Sequence, residues 1–261
     1  MTDLVPRIQQ AYFRNGPEHR SGADVSFLDI VKIFGFQSIK IGRWVTAAEQ
    51  QLAANLFFDA LSDLMLLLQV PERVISLNQS LSLNFGIGGQ QGSCAFYQPQ
   101  GRLLALAKNA GGGSLAHEWF HAFDHYICSK LFTDELPTTA FASSSWLNNA
   151  TVSPHPLNTY LDHSFATLFL SATGTEPNSY VKTSAAFDQS HGIYYYAKPE
   201  ELAARAFEHM LQQQRLKNSF LVSGTLKSKA AKAGLYPDPA LSAVLAQHWL
   251  GYFSLLGRAL S

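Results

Sequence analysis

The sequence lacks several features that mark common classes of protein. It has only two cysteines, Cys94 and Cys128, in 261 residues, which are too few for a disulfide framework. Its formal net charge is zero and no long basic run occurs, so a nucleic-acid-binding surface is not indicated. The first residues lack the positive start and apolar core of a signal peptide. We therefore expect a cytoplasmic protein with reduced thiols, and neither nucleic acid nor membrane among its partners.

One apolar stretch, residues 52–70, is long enough to suggest a membrane span. Asp59 and Asp63 interrupt it and its leucines recur at helical spacing, so we predict a core helix. Hydrophobic residues make up 47% of the chain and charged residues 15%, which is enough to bury one sizeable core. We expect a loosely ordered arm over residues 1–25 and a single domain over residues 26–261.

Capping and turn signals predict an α+β fold that is mostly helical, with a small sheet just before the helix expected at residues 115–127. Ser26 and Thr46 are expected N-caps, and Thr46 begins a capping box with Glu49. Strand character occurs at residues 36–44, 74–77, 81–85, 93–97 and 102–108. Later helices are expected at residues 115–127, 157–170, 199–213 and from 239 onward. Residues 86–92, 132–156 and 174–190 are expected to be loops or irregular.

Residues 117–121 read His-Glu-Trp-Phe-His inside the helix expected at residues 115–127. Positions i and i+4 share one face of an α-helix, so His117 and His121 can point at one metal ion. Glu118 follows the first histidine, and its carboxylate can take a proton from a water that the metal activates. Three glycines and then Ser114 favour a helix start at this place. The pattern predicts a zinc hydrolase, against the alternative of a helix with two metal-free histidines.

A catalytic zinc needs a third protein ligand, and two nearby candidates are poor. His125 lies roughly 12 Å along the helix axis from His117, because each residue adds 1.5 Å. This is too far for the two to share one ion. The segment Gly174-Thr175-Glu176 resembles a ligand segment of aspartate-type zincins, but Pro177 stands where the aspartate is expected.

The helix expected at residues 199–213 offers a better third ligand. Glu201, Arg205 and Glu208 fall on one face of it, whereas Glu200 points about 100° away. Alanines beside Glu201 would allow a close approach to the metal helix. We therefore predict that Glu201 completes a His₂Glu set and that Glu200 lies on a solvated face.

Several segments carry a more specific resemblance than the five-residue pattern. They are Gly35-Phe36, Gly42-Arg43-Trp44 and residues 59–63, 80–86, 113–124 and 195–208. Together they resemble the large polyvalent protein-associated zincin-like metallopeptidase domain of bacteria, phages and conjugative elements, and the bacterial stand-alone proteins labelled CLCA_X. The resemblance runs over about residues 34–222. It departs from the family at Gly88-Gly89, where an arginine is common, and at the apolar strand of residues 103–107.

The resemblance implies a zincin-like fold, a zinc cofactor and a peptide or protein substrate. The family motif Pro-x-Glu-x-x-Ala-Arg-x-Phe-Glu places its ligand on Glu201, with Arg205 and Glu208 beside it. The family's aspartate after the second histidine falls on Asp124. We therefore expect a zinc-dependent metallopeptidase with Glu118 as general base. A non-enzymatic, zinc-stabilised module that binds or regulates a partner is the alternative, and a metal-free domain is a third possibility.

Three further expectations concern the surroundings of the metal. Tyr195, Tyr196 or His191 precede the ligand helix and are candidates to stabilise an oxyanion, with core packing as their alternative role. Asp124 could hold a ligand imidazole in the right tautomer, or it could be a plain surface carboxylate. The strand at residues 102–108 could pair with an extended peptide.

Overall fold

The computed structural model describes residues 7–87, 95–108 and 112–260. Within these ranges the chain is mostly helical with one small sheet, and the predicted α+β class is confirmed. The helices are α1 (Phe27–Phe34), α2 (Ala47–Leu68), α3 (Glu72–Ile75), α4 (Leu115–Leu131), α5 (Ala142–Leu147), α6 (Pro156–Phe169), α7 (Ser179–His191), α8 (Pro199–Gln213), α9 (Lys229–Lys232) and α10 (Pro239–Leu260). The strands are β1 (Ser38–Ile41), β2 (Ser82–Phe85), β3 (Ala95–Gln98) and β4 (Leu103–Leu106).

The chain divides into two compact units. Unit 1 is Met1–Ala122 with Gln214–Ser223, and unit 2 is Phe123–Gln213 with Gly224–Ser261. The division falls within α4, after Ala122. A single domain over residues 26–261 stays a prediction.

Unit 1 contains the sheet, whose strand order is β1-β2-β4-β3. β2 is parallel to both of its neighbours, β1 and β4, whereas β3 is antiparallel to β4. Both sides of β4 are therefore occupied, and Leu104, Ala105 and Leu106 are buried. The expectation that residues 102–108 pair with a peptide is wrong, because β2 and β3 already take the backbone groups of this strand.

Helix α2 is the core helix expected at residues 52–70. Thr46 caps it in the predicted capping box, with Glu49 N donating to Thr46 Oγ1 at 3.3 Å. By length and composition alone α2 could cross a membrane, but half of its most apolar window is buried inside the protein. Its two aspartates also form ion pairs with arginines. Both features fit a helix that packs in a protein core.

Part of the predicted N-terminal arm is fixed to α2. Arg14 donates to both oxygens of Asp63, from Nε at 2.6 Å and Nη2 at 2.8 Å. His19 and Asn218 also contact this carboxylate, each at 2.8 Å. Asp63 has no exposed surface, and these contacts replace the water that its charge has lost. Arg20 Nε donates to Asp59 Oδ1 at 3.0 Å.

The segment at residues 74–77 was predicted as a strand, and this prediction is wrong. Val74 and Ile75 belong to the one-turn helix α3, which follows Pro71. After the C-cap Ser76, residues 77–79 all have positive φ angles between 52° and 64°. Successive left-handed residues cannot form an extended strand, so β2 begins only at Ser82.

Unit 2 is helical, and three of its helices, α5, α7 and the one-turn α9, were not predicted from the sequence. Helix α7 occupies the segment expected to be irregular: Asn178 caps it and Gly192, at φ 63°, ends it. Helix α5 lies within the expected loop of residues 132–156. Helix α10 packs on α6 and α8, with Trp249 and Phe253 buried in the core.

Candidate metal centre

A glycine turn sets the start of α4. Gly113 N donates to Phe220 O at 2.7 Å, and Ala116 N donates to Leu221 O at 3.0 Å. Gly113 has φ 91°, and a Cβ atom there would meet the Ser223 side chain. Glycine is therefore required at this position both by its dihedral angle and by the space available. The turn fixes the first two residues of α4, Leu115 and Ala116, which directly precede the predicted motif.

His117 and His121 face each other on α4, as their spacing predicts. Their Nε2 atoms are 3.1 Å apart and their ring centroids 4.7 Å apart. Two nitrogens bound tetrahedrally at 2.0–2.1 Å from one zinc are about 3.3 Å apart. His121 is buried and His117 is half-buried. The pair is thus arranged as two ligands of one ion would be.

Glu201 joins this pair. One ligand atom from each of His117, His121 and Glu201 lies within 4.8 Å of the other two. Among the residues that the structure describes, this is the only group of three or more His, Cys, Asp or Glu side chains so arranged. Two imidazoles and one carboxylate form a donor set typical of catalytic zinc sites, which keep a fourth position for water. The residues present therefore fit a zinc ion.

The rejected ligand candidates have other contacts. His125 is buried and its Nε2 lies 2.7 Å from Thr138 O. Glu176 is exposed and pairs with Lys182 at 2.9 Å. Glu200 was predicted to lie on a solvated face, but it is half-buried and accepts a hydrogen bond from Ser144 Oγ at 3.0 Å.

Glu118, the predicted general base, is buried on α4 with 8% of its surface exposed. It directly follows the half-buried His117. Its backbone N–H donates to Ser114 O at 3.2 Å, a bond of the first turn of α4. Glu118 thus lies beside a candidate metal ligand, and its role as general base stays a prediction.

Asp124 is fully buried, and its partner differs from the one predicted. Ser143 donates to it twice, from its backbone N at 2.8 Å and from Oγ at 2.5 Å. The carboxylate therefore holds the start of α5, where backbone N–H groups lack helical partners, instead of a ligand imidazole or a surface position. Burial raises the pKa of Asp124 to about 7, although the Ser143 hydrogen bonds oppose the rise.

Arg205 donates to three backbone carbonyls. Its Nε donates to Glu201 O at 3.2 Å, its Nη1 to Leu235 O at 2.6 Å and its Nη2 to Tyr196 O. Its guanidinium also lies over the rings of Tyr196 and Tyr180, at 4.9 and 5.6 Å from their centroids. Arg205 thus joins α8 to the segment before it.

Glu208, on the same face of α8, has a different neighbour. It is buried and accepts a hydrogen bond from the Tyr236 hydroxyl at 3.2 Å. Burial and the nearby Glu208 charge raise the pKa of Tyr236, so this hydroxyl keeps its proton. Glu208 does not belong to the three-residue group.

The three candidates for an oxyanion donor differ in their surroundings. His191 stacks on Phe187 at 4.0 Å at the exposed end of α7. Tyr196 packs edge-on against the same Phe187 at 5.0 Å, and Arg205 covers it. Neither residue lies in the core, since His191 is exposed and Tyr196 is half-buried, and their oxyanion role stays a prediction. Tyr195 is 43% exposed, and its predicted role stays a prediction.

Asp188 is not among the residues predicted from the sequence. This buried residue accepts three backbone hydrogen bonds from the loop before α8: from Tyr195 N at 2.9 Å, Tyr196 N at 3.0 Å and Ala197 N at 2.8 Å. The available signal was an aspartate shortly before Gly192, where a helix ends. Aspartate commonly binds the backbone of a following turn, but its three partners lie seven to nine residues later.

Comparison with known proteins places a match at the end of the chain. Residues 187–260 match the family model of large polyvalent protein-associated domain 1. The match covers Asp188, Arg205 and the predicted ligand Glu201, and it begins well after the two histidines. No curated protein and no solved structure matches the chain. This match supports a relation to large polyvalent protein-associated domains for α8 to α10. It does not identify the zincin-like subtype.

Proposed function

We propose that the chain is a zinc-dependent peptidase of the glutamate zincin type. His117, His121 and Glu201 would hold the metal. The observation that carries the proposal is the approach of these three ligand atoms to within 4.8 Å of one another. The His-Glu-x-x-His motif requires two ligands from one helix and a third from elsewhere in the chain. Here the third comes from a helix about 80 residues later.

The chemistry follows from the residues around this group. When bound, zinc supplies Lewis acidity, which lowers the pKa of a water to about 7 and polarises a carbonyl. Glu118 takes a proton from the attacking water and later gives it to the leaving amine nitrogen. The water oxygen forms a bond to the carbonyl carbon while the C–N bond breaks, so the products are a carboxylate and an amine.

The peptide or protein substrate is proposed from the resemblance to zincin-like metallopeptidases. The match of residues 187–260 supports the broader family, and we propose the zincin-like subtype for the whole chain. A cytoplasmic location, with neither a nucleic acid nor a membrane partner, belongs to the same proposal.

The test combines zinc content with hydrolysis. Metal-free protein is loaded with zinc and separated from free metal, and the bound zinc is counted by elemental analysis; about one per chain is expected. Turnover is then measured on a library of fluorescence-quenched peptides. Glu118→Gln should keep its zinc and lose at least about 100-fold in turnover, since general bases contribute 10²–10⁴-fold. Glu176→Gln, an exposed carboxylate in unit 2, is the control and should keep both.

Two results would contradict the proposal. A wild-type chain that binds no zinc at micromolar concentration would remove the metal centre. A zinc-loaded chain that cleaves no peptide would leave the non-enzymatic, metal-stabilised module in place of the peptidase.

A further inference from the structure

The predicted ligand Glu201 lies in the first turn of its helix, where the backbone is least constrained. It is the third residue of α8, which begins at Pro199. The first N–H groups of a helix have no partners within the helix, and helix ends fray. A ligand in this turn needs support from outside the helix if its carboxylate is to stay within a few tenths of an ångström of one position.

The segment before α8 has such support in Asp188. Asp188 is only 3% exposed. Its carboxylate accepts hydrogen bonds from the backbone N–H groups of the three residues before Lys198, which are Tyr195, Tyr196 and Ala197. Ile193 N also donates to Asp188 O at 3.0 Å. One side chain thus binds three successive backbone N–H groups of the segment between α7 and α8. In particular, it fixes the direction of the Tyr196 carbonyl.

Arg205 carries this constraint to Glu201. Its Nη2 donates to the Tyr196 carbonyl and its Nε to the Glu201 carbonyl. The guanidinium is planar and its donors keep a fixed geometry, so the two carbonyls are held at a set separation. The rings of Tyr196 and Tyr180 restrict the guanidinium further, and Arg205 is only 3% exposed.

We propose that Asp188 is a positioning residue for Glu201 and that it acts through the Tyr196 backbone and Arg205. The inference rests on the proposed zinc centre and adds Asp188 to the residues that position its ligands. Asp188 does not need to touch the metal. It keeps the first turn of α8 in the conformation in which the Glu201 carboxylate meets the two histidines.

The experiment measures zinc affinity by competition with a chromophoric chelator, at a temperature well below the melting point of each variant. Asp188→Asn keeps the size of the side chain but loses a charged acceptor, so it should weaken zinc binding about 10- to 100-fold, as changes behind metal ligands typically do. Asp162→Asn is the matched control. Asp162 is a part-buried carboxylate of unit 2 that accepts from Trp146 Nε1 at 2.7 Å, and its change should leave zinc affinity within about 3-fold. Melting curves of metal-free protein show that each variant is folded.

A second background separates positioning from general destabilisation. In Glu201→Gln protein the carboxylate ligand is already gone, so adding Asp188→Asn should cause no further loss of zinc affinity. Arg205→Lys keeps the charge but loses the fork, and should weaken zinc binding in the wild-type background only. This second variant tests the same link if Asp188→Asn does not fold.

The outcomes separate the two proposals. If Asp188→Asn and Arg205→Lys fold and bind zinc as tightly as the wild type, the positioning role is overturned and the metal centre is left intact. An equal loss in both backgrounds would also overturn it, because the effect would then bypass Glu201. Absence of zinc binding in the wild type would instead remove the proposed function, and this inference with it.

Discussion

The Tyr236 hydroxyl lies 3.2 Å from Glu208 Oε1, so the two glutamates that share one face of α8 have different partners. Glu201 belongs to the candidate metal group and Glu208 does not. We expect Glu201→Gln to lower zinc affinity at least about 100-fold, because one of three protein ligands is lost. Glu208→Gln should stay within about 3-fold, since its amide oxygen can still accept from Tyr236. Chelator competition measures both, and the opposite ranking would move the ligand to Glu208.

The raised pKa of Asp124 predicts a pH-dependent stability. Its folded pKa of about 7 lies above the ordinary value, so the folded state holds this proton more tightly than the unfolded state. The resulting stabilisation is complete below about pH 4 and is lost as the pH rises towards 7, with a slope of at most about 1.4 kcal/mol per pH unit. Asp124→Asn stays neutral and should lack this slope. Urea unfolding between pH 4 and 8 gives the free energies.

Glu176→Gln provides the pH control. The Lys182 ammonium lowers the pKa of Glu176, so any stabilisation from this pair is present above the ordinary glutamate pKa and is lost only at more acidic pH. Between pH 5 and 7 its profile should therefore run parallel to that of the wild type. A profile of Asp124→Asn that is also parallel would show that Asp124 ionises normally.

The buried ion pair between Arg14 and Asp63 should contribute strongly to stability. Arg14→Met leaves a fully buried carboxylate with only His19 and Asn218, and we expect a loss of about 3 kcal/mol in the free energy of unfolding. Adding Asp63→Asn should recover part of the loss, because the uncompensated charge is removed. Denaturant titrations of the single and double variants test this. A double variant no more stable than the single one would contradict the charge argument.

Lys182→Met is the matched control for that ion pair. Lys182 and Glu176 also form a contact at 2.9 Å, but their side chains are 58% and 68% exposed. An exposed pair is screened by water, so its loss should change the free energy of unfolding far less than the loss of Arg14 does.

Two glycines with nearly the same dihedral angle separate strain from crowding. Gly113 has φ 91° and Gly224 has φ 93°, so alanine at either should cost about 1–3 kcal/mol in backbone strain. Only at Gly113 would the new Cβ also meet atoms of Ser223 and, at 3.2 Å, Ser219 O. Gly113→Ala should therefore lower the melting temperature clearly more than Gly224→Ala. Equal shifts would mean that the turn before α4 can move aside.

The sequence predicted best what depends on local spacing. The four-residue interval of His117 and His121 and the unbroken helical segment of α4 required no knowledge of distant residues. The choice of Glu201 rested on the alanines beside it and on the family motif, because periodicity alone placed Glu201 and Glu208 on the same face. The starts of α1 and α2 also followed from their N-caps, Ser26 and Thr46.

What failed depends on contacts between segments. Asp124 and Ser143 are 19 residues apart, so a partner on the backbone of the undetected α5 could not be chosen over a nearby imidazole. Asp188 escaped notice because α7 itself was missed, although Asn178 and Gly192 are ordinary helix boundaries. The position of β4 inside the sheet depends on β3 folding back beside it, and strand order cannot be read from the pattern of one strand.

The order of the sheet also bears on how copies of the chain would meet at high concentration. Among the strands that the structure describes, β1 and β3 are outermost. β1 presents the exposed Lys40, and a charged side chain on an outer strand discourages a second copy from adding there. β3 has the uncharged sequence Ala-Phe-Tyr-Gln. Of these two outer strands, only β1 therefore carries a charged side chain that opposes such addition.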